Sequence, residues 1–129
     1  MAKFQLLIGE TANKGRGIFT EKAIKAGTVV ETAAVIVMTA DDRKLLDQTL
    51  LHDYIFEWQP ADEKMCCMAL GHIPIYNHSY QSNCEYFMNY DDNSMYVQTV
   101  RDIKAGEELT INYNGPWNNE EKVWFDVAD

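Results

Sequence analysis

At 129 residues and a formal net charge of −9, the chain has the length of one domain, able to bury about two-thirds of its unfolded surface without staples. The acidic charge is spread along the sequence with no basic patch, which argues against binding a phosphate backbone as the main task; it suits a basic peptide partner or solubility alone. No apolar run approaches the roughly 18 residues of a membrane span, and Met1 to Gln5 lacks a signal peptide's apolar core, so a cytoplasmic protein is expected, with non-classical secretion the other route.

In chain order, the alternation of Phe4, Leu6 and Ile8 predicts a half-buried strand. Gly15-Arg16-Gly17 follows, a turn in which the backbone can come close to a ligand; alone it is more often just a turn. Ile18-Phe19 starts a second strand. Ile24-Lys25-Ala26-Gly27 is a turn leading into two β-branched runs, Val29 to Glu31 and Ala34 to Met38, both read as buried strands. The same four residue types recur at 103–106, again before a strand, which reads as repeated turn chemistry rather than duplication.

Thr39-Ala40-Asp41-Asp42 carries the signature of a helix start, and a helix is expected over about 42–54. Its apolar stripe is Leu46, Leu50 and Tyr54, widened by Leu45 and Leu51. Ile55 to Trp58 then runs extended, Met65 to Leu70 is a short apolar run, and Gly71-His72-Ile73-Pro74 breaks it. Cys84 to Tyr90 alternates, Asp91 to Ser94 turns, and Met95 to Arg101 returns as the second arm of a hairpin. The stretch from Gly106 feeds a strand with Leu109, Ile111 and Tyr113 on one face. The tail, 114–129, holds Trp117, Trp124 and Phe125, too many aromatics for a solvated end, so it is expected to dock. The architecture is mainly β with one inserted helix, in a single domain over 1–129.

Metal and nucleophile chemistry find little support. Cys66, Cys67 and Cys84 show no C-x-x-C spacing and read as reduced apolar side chains, and His52, His72 and His78 lack metal-ligand spacing. His78 and Ser79 are adjacent, so their side chains diverge in extended backbone, which argues against a Ser–His dyad.

The ordered combination is more specific. Lys14-Gly15-Arg16-Gly17-Ile18-Phe19, then Asn77-His78-Ser79 with Asn83, then Gly106-Glu107-Glu108-Leu109-Thr110 with Tyr113 resembles the SET-domain family of protein-lysine methyltransferases, in the minimal stand-alone form of bacteria and viruses. The resemblance covers nearly the whole chain. It implies small curved sheets with a C-terminal pseudoknot, in which the two motif stretches thread past each other. It implies S-adenosylmethionine as methyl donor, in a pocket built from Lys14, Gly15, Arg16, Asn77, His78 and Tyr113. Asn77 would meet the donor's amino group with its side-chain amide, and His78 would use mainly main-chain bonds to adenine. Tyr113 would orient the lysine amine or polarise the methyl group. Trp124, or Trp117, would stack on adenine or wall the lysine channel; a plain hydrophobic anchor is the other reading of either. Tyr86 and Ile111 fall near the channel, with ordinary cross-strand packing the competing role for Tyr86. The implied partner is a basic protein or peptide such as a histone-like tail, bound by a monomer or homodimer, without metal.

Departures from the family pattern are Pro74-Ile75-Tyr76 before the asparagine, Tyr80 and Ser82 inside the motif, and the lack of cysteine-rich flanking modules. A catalytically degenerate module that binds a partner or the cofactor is the alternative, and an unrelated β-rich interaction domain the third.

Overall fold

The computed structural model describes residues 6–125 and 127. In chain order the strands are β1 (Leu6–Glu10), β2 (Arg16–Thr20), β3 (Val29–Met38), β4 (Phe56–Trp58), β5 (Met65–Ala69), β6 (Asn77–His78), β7 (Cys84–Asn89), β8 (Ser94–Thr99) and β9 (Glu108–Ile111), with one helix, α1 (Ala40–Leu46), between β3 and β4. They form a four-stranded sheet in the order β1-β2-β9-β6 and a five-stranded sheet in the order β4-β5-β3-β8-β7. The mainly β architecture expected from the short alternating runs is therefore found.

The β-branched runs 29–31 and 34–38 are one ten-residue strand, β3, central in its sheet and paired with β5 and β8. A bulge lies near its start. Val29 lies opposite Gln98 and Glu31 opposite Val97, so Val30 is an extra residue. The bulge lets neighbours Val30 and Glu31 both face inward, which strict alternation forbids.

The expected helix over 42–54 is shorter and broken. α1 ends at Leu46, and a separate 3-10 turn runs from Leu50 to Asp53. Thr49 causes the break: its hydroxyl donates to the Leu46 carbonyl at 2.7 Å and accepts the Leu51 N–H at 3.2 Å, closing one turn and opening the next. The leucine stripe does not face the core, for Leu45 is 68% and Leu50 74% exposed. The helix start is as expected, with Thr39 and Asp42 in a reciprocal capping box.

The two Ile-Lys-Ala-Gly turns meet. Ile24 and Ile103 bridge each other, N–H to carbonyl, at 2.9 and 2.8 Å, and both side chains are buried. Gly27 (φ +77°) and Gly106 (φ +82°) take the left-handed conformation that a side chain disfavours. Each glycine N–H donates to a strand's last residue from the other half of the chain: Gly27 to Thr99 at 2.9 Å, Gly106 to Thr20 at 2.8 Å. The repeated sequence thus clamps the entrances of β3 and β9 together.

The core lies between the sheets. Ile18, Leu109, Ile111, Val97, Met95 and Ile73 are fully buried, each stabilising the fold by roughly 1.5–3 kcal/mol. Cys66, Cys67 and Cys84 are buried free thiols, and burial pushes Cys67 and Cys84 up to about 12, so they stay protonated.

Candidate active site

The turn before β2 is shaped by Thr11. Its N–H and hydroxyl both donate to the Gly15 carbonyl at 2.8 Å, and its hydroxyl accepts the Lys14 N–H at 2.8 Å. Lys14 reaches across to donate from Nζ to the His78 carbonyl at 3.2 Å. Gly17 is needed for space: a Cβ there would lie 2.4 Å from Glu108 Oε2 and 2.8 Å from Asn77 Nδ2. Those two groups bond each other at 2.8 Å, and Asn77 Nδ2 also donates to the Arg16 carbonyl at 2.9 Å. Both amide hydrogens of Asn77 are therefore committed inside the protein, which leaves Oδ1 to accept from a ligand.

His78 is a strut by geometry. Its Nδ1 accepts the Tyr113 N–H at 2.9 Å, which requires the neutral ring with its proton on Nε2. The ring packs edge-on against Tyr80 at 4.6 Å and tilted against Tyr113 at 5.1 Å. Its carbonyl is the acceptor for Lys14, so the chain itself uses one of the main-chain groups expected to face adenine.

β6 runs parallel to β9, His78 opposite Ile111, and the lacing continues beyond it. Asn83 Oδ1 accepts the Thr110 N–H at 2.8 Å, and its Nδ2 donates to the Glu108 carbonyl at 2.8 Å and to Glu107 Oε2 at 3.2 Å. Ser82 N–H donates to the Trp117 carbonyl at 3.2 Å, and Asn112 Nδ2 to the Trp117 and Asn119 carbonyls. The two motif stretches thus interlock through side-chain amides, the atoms that asparagine supplies and a hydrophobic residue does not.

Tyr113 follows β9. Its hydroxyl donates to the Tyr76 carbonyl at 2.8 Å. Burial, with help from nearby Tyr54, Asp53 and Glu108, pushes its ionisation far above the ordinary tyrosine range, so the hydroxyl keeps its proton. The Tyr113 carbonyl accepts the Tyr86 hydroxyl at 3.1 Å, and burial pushes Tyr86 up to about 12. Trp124 stacks on the Tyr113 ring (5.8 Å, 18°) and donates from Nε1 to Asp53 Oδ1 at 3.0 Å. Phe125 meets the same ring at 6.0 Å. The expected docking of the tail is therefore found, over Tyr113.

Tyr113 stands between cavities. One, of about 410 Å³, is lined by Lys14, Gly15, Arg16, Asn77, Ile75 and Phe125. A second, of about 260 Å³, is lined by Arg43, Asp47, Phe56, Glu57 and Tyr86. Asp53, Tyr54, Pro74, Tyr113 and Trp124 line both. A third, of about 240 Å³, continues from Lys14 and Asn77 to His78 and Phe125, again past Tyr113.

The structure brings Lys14, Gly15, Arg16, Asn77, His78, Tyr113 and Trp124 together around the first and third cavities, and places Tyr86 in the second. Trp117 lines none of the three. Ile111, expected near the channel, lies instead in the core cluster with no exposed surface and lines none of them either. It shares an inward strand face with Leu109, and the turn after β9, not strand alternation, brings Tyr113 to the cavities. Sequence reasoning missed Asp53, Tyr54 and Phe125, which the broken insert and the tail carry; the aromatic density of the tail was the one signal for Phe125.

The residues meeting here, a glycine-shaped cradle and a protonated tyrosine between two cavities, come from all three motif stretches. The family model for the SET domain matches residues 15–114, and the chain belongs to the SET-domain family of protein-lysine methyltransferases. It is 30% identical over 122 residues to a Schizosaccharomyces pombe protein, histone-lysine N-methyltransferase, H3 lysine-37 specific, covering 94% of this chain and 77% of that one. The fold is similar to the crystal structure of a candidate histone methyltransferase from Plasmodium falciparum, with a TM-score of 0.66 at 23% identity, covering 89% of this chain and 97% of that one.

Proposed function

We propose that the protein methylates lysine side chains of a basic protein or peptide, with S-adenosylmethionine as donor and Tyr113 orienting the amine. The observation that carries this reading is the position of Tyr113 in the wall common to two cavities, its hydroxyl held by the Tyr76 carbonyl. The larger cavity falls within the roughly 300–1,000 Å³ usual for small-molecule sites. Its donor set suits the methionine end of the cofactor: Asn77 Oδ1 accepts from an ammonium, and Lys14 and Arg16 bring positive charge toward a carboxylate.

When bound, the cofactor supplies a methyl group on a sulfonium; the C–N bond to lysine forms as the C–S bond breaks, leaving a neutral thioether and a methylated ammonium. The chain supplies alignment and electrostatics rather than a nucleophile. Tyr113 keeps its proton, so it is no base; the lysine proton departs to water before transfer. Desolvation of the amine in the smaller cavity, among Tyr54, Phe56, Tyr86 and Trp124, favours its neutral form, against the pull of the carboxylates there and of the ring faces toward the ammonium. Asp47, Asp53 and Glu57 at the same cavity attract a basic segment, Glu57 being partly offset by Arg43 at 3.3 Å.

The S. pombe relative is named for a lysine of histone H3, so core histones are the first substrates to test. Saturating S-adenosylmethionine raises the melting temperature by linkage, and labelled methyl appears on histone lysines. Tyr113→Phe keeps cofactor binding and loses turnover by about a hundredfold or more. Unchanged turnover in that variant overturns the role of the hydroxyl.

A further inference from the structure

Glu31 is a carboxylate in the protein interior, 4% exposed, that methyl transfer as described above does not use. Burying a carboxylate costs several kcal/mol unless hydrogen bonds replace its water. Here both oxygens are engaged. Oε2 accepts the His72 N–H at 2.6 Å, and Oε1 accepts the Tyr76 hydroxyl at 3.0 Å. The His72 ring nitrogen Nδ1 lies 3.8 Å from Oε2.

The partners define what the carboxylate holds. His72 caps the short 3-10 turn Ile73–Ile75, and Tyr76 ends it, immediately before Asn77 and His78. Glu31 thus takes a donor from each end of the turn that delivers the Asn77-His78 pair. The approach is close: a Cβ on Gly71 would lie 2.4 Å from Glu31 Oε2. The bulge in β3 is what aims Glu31 inward beside Val30. The Tyr76 ring is buried, 1% exposed, and its carbonyl receives the Tyr113 hydroxyl at 2.8 Å.

We propose that Glu31 is a positioning residue for methyl transfer: through the Tyr76 hydroxyl it fixes the Tyr76 carbonyl that receives the Tyr113 hydroxyl. The inference rests on the role assigned to Tyr113 above. Tyr76 is also one of the positions where the chain departs from the family pattern. A misplacement of about 1 Å at such a contact costs up to a hundredfold in rate without touching ground-state binding.

The test uses the full chain carrying Tyr76→Phe, Glu31→Gln, both together, or Tyr113→Phe. The first readout needs no substrate: the Tyr113 Cζ resonance of protein labelled with ¹³C-tyrosine, assigned by its loss in Tyr113→Phe. It moves in Tyr76→Phe. In Glu31→Gln it stays near its original position, because glutamine can accept from the His72 N–H and donate to the Tyr76 oxygen. The second readout is steady-state kinetics with S-adenosylmethionine and core histones. Tyr76→Phe lowers kcat about tenfold with both KM values within about twofold; Glu31→Gln retains most turnover, and the double variant matches Tyr76→Phe. An unmoved Tyr113 resonance in a folded Tyr76→Phe protein overturns the proposal, as does a loss confined to KM or a double variant that turns over well below Tyr76→Phe. If Tyr113→Phe itself keeps full turnover, it is the reading of Tyr113 that fails, whatever Tyr76→Phe does.

Discussion

Gly17→Ala tests the cradle between the first and last motif stretches. The added Cβ would sit 2.4 Å from Glu108 Oε2 and 2.8 Å from Asn77 Nδ2. Reaching an ordinary contact of about 3.4 Å displaces the carboxylate by about 1 Å and the amide by about 0.6 Å. Displacements of that size pull apart the Asn77–Glu108 bond of 2.8 Å and the Asn77–Arg16 bond of 2.9 Å. Hydrogen bonds to charged groups contribute about 1.5–3 kcal/mol and overpacking costs about 1–3 kcal/mol. The end of the Glu108 side chain swings aside and relieves part of this, so a net loss near 2 kcal/mol is expected, about 8 °C in Tm for a domain of this size. Because Asn77 Oδ1 moves with its amide, cofactor affinity falls by about tenfold. Gly15→Ala is the comparator. Nothing lies within 4 Å of a Cβ there, and the cost is the φ of +73° alone, about 1 kcal/mol, with the Asn77–Glu108 bond intact. Thermal melts and isothermal titration with S-adenosylmethionine measure both quantities. A Gly17→Ala protein with unchanged Tm and Kd would refute the argument that these residues share one crowded contact.

Two further outcomes follow from the same geometry. Trp124→Ala removes the stack on Tyr113 and the bond to Asp53; because the indole is half-exposed, stability falls by only about 1 kcal/mol while KM for cofactor or protein substrate rises about tenfold, and unchanged values for both would show that the tail covers the site without shaping it. Glu107 accepts from Arg101, from the Lys104 N–H and from Asn83, with Arg101 the largest influence holding its carboxyl below the usual range. Its stabilising contribution is complete above the unfolded value of about 4.3 and is lost as pH falls through the lowered folded value. The Tm advantage of the natural protein over Glu107→Gln therefore shrinks on acidification below about pH 4.3; an advantage constant from pH 7 to 3 contradicts this.

The fold was legible where structure is local. The β7–β8 hairpin, the turns at Gly27 and Gly106 and the capping box at Thr39 follow from residue chemistry within a few positions. The insert was not, because the leucine spacing at 46, 50 and 54 signals amphipathicity but carries no information on whether a partner covers that face. Thr49, which breaks the helix, looks like any polar position within it. Of the candidate site, the cradle and Tyr113 were marked by unusual residue combinations. Glu31 was invisible, a single charge in a β-branched run, since its importance comes from a bulge and from Tyr76, 45 positions away. Ile111 shows the opposite error: alternation gave its face correctly but could not say that Tyr113, beyond the strand, leaves that face for the cavities.

The clamp between the two Ile-Lys-Ala-Gly turns has a consequence for biosynthesis. The Ala26 N–H bonds the Asp102 carboxylate 76 residues later, and the cradle bonds from Arg16 to Asn77 and from Lys14 to His78 span 61 and 64 residues. A nascent chain can close the β1–β2 hairpin as it emerges, but β2 waits for β9 and Tyr113 before any pocket exists. Folding is therefore of high contact order and slow beside a helical domain of equal length. Meanwhile the central strand β3 is held without its β8 partner, and it is this interval, rather than the finished protein, that exposes the chain to aggregation.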